Sequence, residues 1–255
     1  TISEICVNRP GELWIERTGS PSMERIESAA IDNDHMMRLA RQVARTTGQA
    51  INLQNPLLSA SLQTGERVQV IMPPASPNGV ILSIRKQVVK DMNLADYAAA
   101  GAFEAVDWVT DADLKPHDAQ LRALADQKDF YNFIALAAQS KKNIIISGGT
   151  STGKTTLLNA ILKEIDPEER IITIEDTPEI RPVHKNHIPL LASKGEQGVA
   201  EVTIQTLLEA SLRLRPDRIL LGELRGKEAY TFLRAVNTGH PGSLTTVHAD
   251  TPHGA

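Results

Sequence analysis

The chain has 255 residues, is 41% hydrophobic and 23% charged, and carries a formal net charge of −4. This composition is sufficient for a buried core, but it gives no overall basic surface, so we expect no specific nucleic-acid binding. The single cysteine, Cys6, excludes an internal disulfide and a cysteine-based zinc site and suits a reducing cytoplasm, while no apolar run approaches the ~20 residues of a membrane helix.

The first hundred residues predict a small α+β domain. Its expected elements, in order, are a hairpin over 4–16, a helix over 22–47, two alternating strands on either side of a turn at Thr64-Gly65, a strand over 80–84, and a short helix ended by Gly101. We place the N-terminal domain at 1–100. The stretch 101–117 lacks a clear period and is predicted to be an interdomain linker.

From residue 118 to residue 255, helices and strands alternate, which predicts an α/β domain with a mostly parallel sheet covered on both faces. The strands are predicted at 143–146, 170–176, 218–223 and 243–249, and the later helices at 203–215 and 226–239. The chain opens with Thr1 rather than Met and stops directly after the last predicted strand. We therefore expect a fragment that is trimmed at both ends, with its second domain incomplete at the C-terminus.

A phosphate-binding pattern lies between the first predicted strand of this domain and a helix. Residues 148–155 read G-x-x-x-x-G-K-T, the P-loop pattern. Its glycines allow backbone N–H groups to turn inward around an anion, and the helix adds its positive N-terminal end. Lys154 is predicted to reach the β- and γ-phosphates of ATP, and the Thr155 hydroxyl to bind Mg²⁺. The predicted nucleotide-binding residues of the loop are Gly148, Gly149, Thr150, Ser151, Thr152, Gly153, Lys154, Thr155 and Thr156.

Carboxylates end two further predicted strands, where ligands bind such sheets. Glu223 stands after Gly222, whereas many P-loop enzymes place a magnesium-binding Asp at this strand end. Glu223 is predicted to orient or deprotonate the attacking water; the alternative is a solvated carboxylate paired with Arg225. Glu175 and Asp176 either hold the metal, its waters or the nucleophile, or form only a capped acidic turn.

Histidines and arginines complete the candidates. His240 lies in a glycine-rich turn and His248 ends the last strand; this spacing, without cysteine, argues against zinc and favours a sensor of the γ-phosphate. Arginines 213 and 215 lie in the last turn of the predicted helix over 203–215, and Arg218 follows it. A favourable interaction with the helix dipole and a phosphate contact explain them equally well.

Four motifs, taken together and in order, resemble the traffic ATPases of type IV secretion and conjugation systems, which are related to type II secretion and type IV pilus motors. They are "GGTSTGKTT", "IEDTPEI", "PDRILLGELRG" and "GHPGSLTTVH". The segments "NRPGELWIE", "GERVQVIMPP" and "ILSIRK" resemble the N-terminal domain of that family. The resemblance therefore covers nearly the whole chain.

The resemblance implies a RecA-like motor domain that hydrolyses ATP with Mg²⁺ bound, in a homo-hexameric ring at the cytoplasmic face of the bacterial inner membrane. It also implies peripheral membrane association, with other secretion ATPases and inner-membrane components as partners. By resemblance, the functional residues are the catalytic carboxylate Glu223, the acidic-box residues Glu175 and Asp176, the histidine-box residues His240 and His248, and an N-domain arginine, Arg85, that reaches the phosphates.

Related motors differ from this chain at two places. Type II secretion ATPases often carry a four-cysteine zinc module, and pilus retraction motors usually have an Asp where this chain has Gly226. Both differences favour the type IV branch. From other classes, a nucleic-acid translocase and a nucleotide-dependent switch stay open; the acidic composition argues against the first, and ring formation with ATP would argue against the second.

Overall fold

The computed structural model describes residues 1–86, 94–99, 101, 116–193 and 199–249. Its N-terminal part is an antiparallel six-stranded sheet with strand order β3-β2-β1-β6-β5-β4. The strands are β1 (Ile2–Val7), β2 (Glu12–Arg17), β3 (Glu24–Glu27), β4 (Leu57–Ser61), β5 (Arg67–Ile71) and β6 (Ile81–Arg85). The predicted hairpin, the paired strands around Thr64-Gly65 and the strand near 80–84 are thus confirmed.

One long helix, α1 (Asn33–Thr46), packs on this sheet through Met36, Ala40 and Val43. It begins after Asp32, whose carboxylate accepts the backbone N–H of His35 at 2.6 Å and so caps the helix. The prediction of one helix over 22–47 is therefore wrong at its start. Residues 24–27 are β3, which pairs with β2, and the cap delays the helix to residue 33.

The chain then forms a short helix, α2 (Leu94–Ala99), where one was predicted. The predicted linker falls mostly on residues 102–115, outside the described residues, and stays a prediction. Its last two residues belong to α3 (Pro116–Asp126), which precedes α4 (Phe130–Gln139).

The second sheet has five parallel strands in the order β7-β11-β10-β8-β9, which confirms the α/β prediction. They are β7 (Ile144–Ser147), β8 (Ile171–Glu175), β9 (His187–Leu191), β10 (Arg218–Leu224) and β11 (Leu244–Val247). The helices are α5 (Lys154–Ile161) with a following 3-10 turn (Leu162–Glu164), α6 (Ile204–Ser211) and α7 (Glu228–Asn237).

Side chains of these strands alternate between two cores, as expected for a sheet covered on both faces. Ile171 and Leu220 pack with α4 and α5, whereas Ile172 and Leu221 pack with α6 and α7. Two details differ from the sequence prediction. Strand β9 was not predicted, and α6 ends at Ser211, four residues before the predicted end.

The two sheets share a core and several polar contacts. Three buried apolar residues of the N-terminal part pack among the side chains of β8, β9 and α6: Ile71 of β5, Ile81 of β6, and Ala75 between the two strands. The backbone N–H of Leu191 also donates to the carbonyl of Ala75 at 2.9 Å. The fully buried Arg170 donates from Nη1 to Asn8 Oδ1 at 2.7 Å and to Asn186 Oδ1 at 2.5 Å. The junction between the sheets is therefore a packed interface. Across the described residues, no helix combines the length and apolarity needed to cross a membrane.

Candidate active site

The P-loop has the backbone that its glycines predict. Gly153 has φ of 87° and stands directly before α5, a conformation that a residue with a Cβ rarely adopts. At Gly148, a Cβ would lie 2.7 Å from Thr152 Oγ1, so a larger residue here would force the Thr152 side chain to move. Lys154 Nζ donates to the carbonyl oxygens of Gly148 and Gly149 at 2.9 and 2.8 Å. The ammonium group is therefore held at the mouth of the loop.

A cavity of about 550 Å³ opens above the P-loop, at the carboxyl ends of β8, β10 and β11. The structure brings most of the predicted residues together around it: Thr150, Ser151, Thr152, Gly153, Lys154, Thr155, Thr156, Glu175, Asp176, Glu223 and His248. Ligand binding at these strand ends was the expectation for a parallel sheet.

Glu223 is held on both carboxylate oxygens. Arg225 donates to Oε2 from Nε at 2.8 Å and from Nη2 at 2.6 Å, and His248 Nε2 lies 3.0 Å from Oε1. Arg225 also donates from Nη1 to Asp176 Oδ2 at 2.8 Å, and the bonds to these two carboxylates raise the pKa of its guanidinium. The sequence indicated Arg225 only as a local partner of Glu223. The structure adds its bridge to Asp176, which directly follows a different strand, β8.

Glu175 is buried at the end of β8, and this burial raises the pKa of its carboxyl above the usual range. The backbone N–H groups of Glu179 and Ile180 oppose that rise by donating to Oε1 at 2.8 and 2.9 Å. A Cβ at Gly222 would lie 3.2 Å from Cγ of Glu175. The glycine in place of the common strand-end Asp thus leaves room for the Glu175 side chain.

A contact that the sequence did not predict joins the P-loop helix to the acidic loop. The Thr155 hydroxyl, the expected metal ligand, donates to Glu179 Oε2 at 3.1 Å. The one signal in the sequence was the position of Glu179 within "IEDTPEI".

His240 lies away from this cavity. Its Nδ1 is 3.0 Å from the carbonyl oxygen of Pro216, and burial lowers the pKa of its imidazole. The predicted nucleotide contact of His240 stays a prediction. Arg218, for which a phosphate contact had equal weight, is fully buried and pairs through Nε and Nη2 with Glu169 at 2.8 and 2.9 Å. It holds the start of β10 in place.

Arg85 lies in a second cavity, of about 380 Å³, between the N-terminal sheet and the segment after α6. Its Nε is 4.0 Å from Oε2 of the buried Glu4. The cavity is also lined by the three arginines 67, 213 and 215. Arg85 does not line the cavity of its own P-loop. In this arrangement it therefore makes no contact with the site where phosphates of the same chain would bind.

Comparison with known proteins gives consistent relatives. A profile described as "Type II/IV secretion system protein" matches residues 113–255. The type IV secretion system protein VirB11 of Bartonella henselae is 42% identical, with 97% of this chain and 72% of the relative aligned. VirB11 of Brucella suis is 41% identical over 97% of this chain and 69% of its own length.

A third relative, the PtlH homolog of Bordetella bronchiseptica, also a type IV secretion system protein, is 44% identical over 97% of this chain and 73% of its own length. Among solved structures, the VirB11 ATPase from the Brucella suis type IV secretion system, crystallised with sulphate, superposes with a TM-score of 0.91. That match is 40% identical and covers 99% of this chain and 75% of the other. Sequence and structure thus point to the same group of proteins.

Proposed function

The chain belongs to the family of type II/IV secretion system proteins, and from that membership we propose that it powers assembly of, and substrate transfer through, a type IV secretion system. It is an ATPase of this family, and its similarity to VirB11 proteins over 97% of this chain favours the type IV branch. The observation that carries the proposal is that Lys154 and Glu223 line the same cavity. Hydrolysis requires a group that binds the phosphates and a group that activates water, and these two residues can supply them.

The residues present fit a nucleotide with Mg²⁺. Lys154 can exchange its bonds with two carbonyl oxygens for bonds with phosphate oxygens, which carry far more negative charge. Within the described ranges, no three His, Cys, Asp or Glu side chains are grouped to hold a metal by themselves. Thr155 and Glu175 are therefore proposed to share the ion with phosphates and water, which is the usual manner of Mg²⁺. When bound, the ion supplies neutralisation of the phosphate charge.

Glu223 is proposed as the general base that takes a proton from the attacking water. Arg225 and His248 hold its two oxygens from different sides, so the carboxylate has one orientation toward the cavity. We assign His248 and Arg225 as positioning residues of Glu223. Asp176 shares Arg225 with Glu223 and limits the movement of the guanidinium.

Arg85 is proposed to reach the phosphates of a neighbouring copy of the chain. It is 68% exposed and stands directly opposite Arg67 on the adjacent strand β5, and like charges in this register repel each other. A bound anion would offset the part of that repulsion that the carboxylate of Glu4, 4.0 Å from Arg85, leaves. The lining of the P-loop cavity is more acidic: it has four carboxylates, those of Glu175, Asp176, Glu179 and Glu223, against the two cations Lys154 and Arg225. Two different, complementary surfaces on one chain favour a head-to-tail contact, which gives a ring when the rotation between neighbouring copies closes.

We therefore propose a homo-hexamer in which the arginine cavity of one subunit covers the P-loop cavity of the next. The membership of the relatives in type IV secretion systems supports a place at the cytoplasmic face of the inner membrane. It also supports contact there with other secretion ATPases and with membrane components of that machine.

A mixing experiment tests hydrolysis and the ring together. Lys154→Ala and Arg85→Ala are each expected to lose ATP hydrolysis. Mixed rings should recover part of it, because the intact P-loop of an Arg85→Ala subunit can meet the intact Arg85 of a Lys154→Ala subunit. Native mass spectrometry with ATP should report six copies and confirm mixing. Mixed rings without activity would refute the role of Arg85 between subunits, and wild-type turnover by Lys154→Ala would refute the P-loop assignment.

A further inference from the structure

The acidic loop that follows β8 is held against α5 by one side-chain amide. Asn159 Nδ2 donates to the carbonyl of Glu179 at 3.1 Å, and Asn159 Oδ1 accepts the backbone N–H of Arg181 at 2.8 Å. In a parallel sheet, the N–H and C=O of one residue bond in the same way to the carbonyl of one residue and the N–H two residues later on the neighbouring strand. The Asn159 side chain thus takes the place of a paired strand for residues 179–181.

Two further contacts fix the same loop. Ile180, between the two bonded residues, is buried in the core that contains Leu158 and Ile161 of α5. The backbone N–H groups of Glu179 and Ile180 both donate to Glu175 Oε1. The backbone of residue 179 is therefore bonded through its N–H to β8 and through its carbonyl to α5.

The result is the placement of the Glu179 carboxylate at the Thr155 hydroxyl. Thr155 and Asn159 are four residues apart on α5, so they lie on the same face, one turn apart. Asn159 bonds to the backbone carbonyl of Glu179, and the carboxylate of the same residue accepts the bond from Thr155, one turn earlier on this face of α5. A threonine hydroxyl has one hydrogen and two lone pairs. When the hydrogen is donated to Glu179, both lone pairs are left for a cation.

We propose that Asn159 is a positioning residue for the metal site: it holds Glu179 so that its carboxylate orients the Thr155 hydroxyl toward nucleotide-bound Mg²⁺. This inference rests on the proposed function. The inference is consistent with the glycine at position 222. The strand-end Asp of other P-loop enzymes is missing at this position, and one of the two carboxylate oxygens of Glu175 is already bonded to the loop backbone. Mutation of a residue that holds a metal ligand in place typically lowers metal affinity by about 10–100-fold.

The test is the Mg²⁺ dependence of binding in the full chain. A fluorescent, non-hydrolysable ATP analogue is titrated with magnesium chloride or with EDTA. Asn159→Ala keeps a strong helix former in α5, so affinity in EDTA should stay within about twofold of wild type. The gain in affinity that Mg²⁺ provides should fall by about tenfold, the lower end of effects from such partners. The matched control is Asn237→Ala, an exposed asparagine at the end of α7, which should bind as wild type in both conditions.

A double-mutant cycle separates this role from a purely structural one. If Asn159 acts through Glu179, the variant that combines Asn159→Ala with Glu179→Ala should lose no more of the Mg²⁺ gain than the more affected single variant. Additive losses, or a wild-type Mg²⁺ gain in Asn159→Ala, would overturn the inference and leave the proposed function intact. A wild-type chain that binds the analogue in neither condition would instead overturn the proposed function, and with it the inference.

Discussion

Replacing Glu223 by glutamine separates binding from chemistry in this cavity. The substitution preserves the shape of a side chain that is 16% exposed and removes its capacity to take a proton. Both bonds from Arg225 end on the same oxygen, Oε2, and the amide oxygen of glutamine can accept them. The amide nitrogen would then face His248 Nε2, which accepts a hydrogen bond when the ring is neutral. We therefore expect the fold and the cavity to persist.

The expected effect on turnover follows from the role of a positioned general base. Such a group contributes about 10²–10⁴ in rate, which corresponds to roughly 3–5 kcal/mol of barrier. Nucleotide affinity should change by less than about threefold, a difference of under 1 kcal/mol, because Lys154 and the P-loop N–H groups are untouched.

The assay is phosphate release at saturating ATP, combined with titration of a non-hydrolysable analogue. Glu201→Gln makes the same chemical change at an exposed position and should leave both quantities unchanged. If affinity fell as much as rate in Glu223→Gln, Glu223 would be a metal ligand. Turnover within about threefold of wild type would show that no base acts at this position.

Three other perturbations test distinct parts of the structure. Arg85→Ala should bind nucleotide normally and lose ~10³-fold or more in turnover, with partial recovery in Arg85→Lys; turnover within threefold of wild type would leave Arg85 as a surface residue. Gly242→Ala should destabilise the fold by about 2–4 kcal/mol in urea unfolding, because φ is +82° and a Cβ would lie 2.6 Å from Nη1 of the buried Arg218; Gly239→Ala, with φ of +120° and open space around a Cβ, should cost less. Burial lowers the pKa of His187 to about 4, so the unfolded chain binds a proton more readily, and stability should fall by up to about 3 kcal/mol as the pH drops from 6.5 to 4. That loss should shrink in His187→Gln, and an unchanged pH profile in this variant would contradict the assignment.

Local patterns carried most of what the sequence revealed about the fold. The parallel strands are continuous aliphatic runs, and the P-loop is recognisable because its chemistry lies within eight consecutive residues. Strand β9 was missed because Pro189 interrupts its short run; an edge strand tolerates that proline, since it needs ladder bonds on one side only. Residues 24–27 looked helical because their charges suit a helix surface, but pairing with β2 decided their conformation.

Contacts between distant segments could not be predicted in the same way. Asp176 and Arg225 meet because β8 and β10 are neighbours in the sheet, and the strand order is not written in either motif. Thr155 and Glu179 meet because the acidic loop folds back over α5. The position of Arg85 depends on how the two sheets pack. The resemblance to a family suggested that Arg85 contacts phosphates, but it carried no information on how far Arg85 lies from the P-loop of its own chain.

The packed junction between the sheets has a mechanical consequence. The N-terminal sheet packs directly on β9, the edge strand of the P-loop sheet. The shared core contains Ile71, Ala75 and Ile81, and the backbone of Leu191 is hydrogen-bonded to that of Ala75. Separating the two would expose apolar surface to water and break the hydrogen bond that the buried Arg170 donates to Asn8 across the junction, and both changes cost free energy. A tilt of β9 during the ATP cycle would therefore swing the N-terminal sheet as a stiff lever arm, with displacement growing with distance from that edge strand.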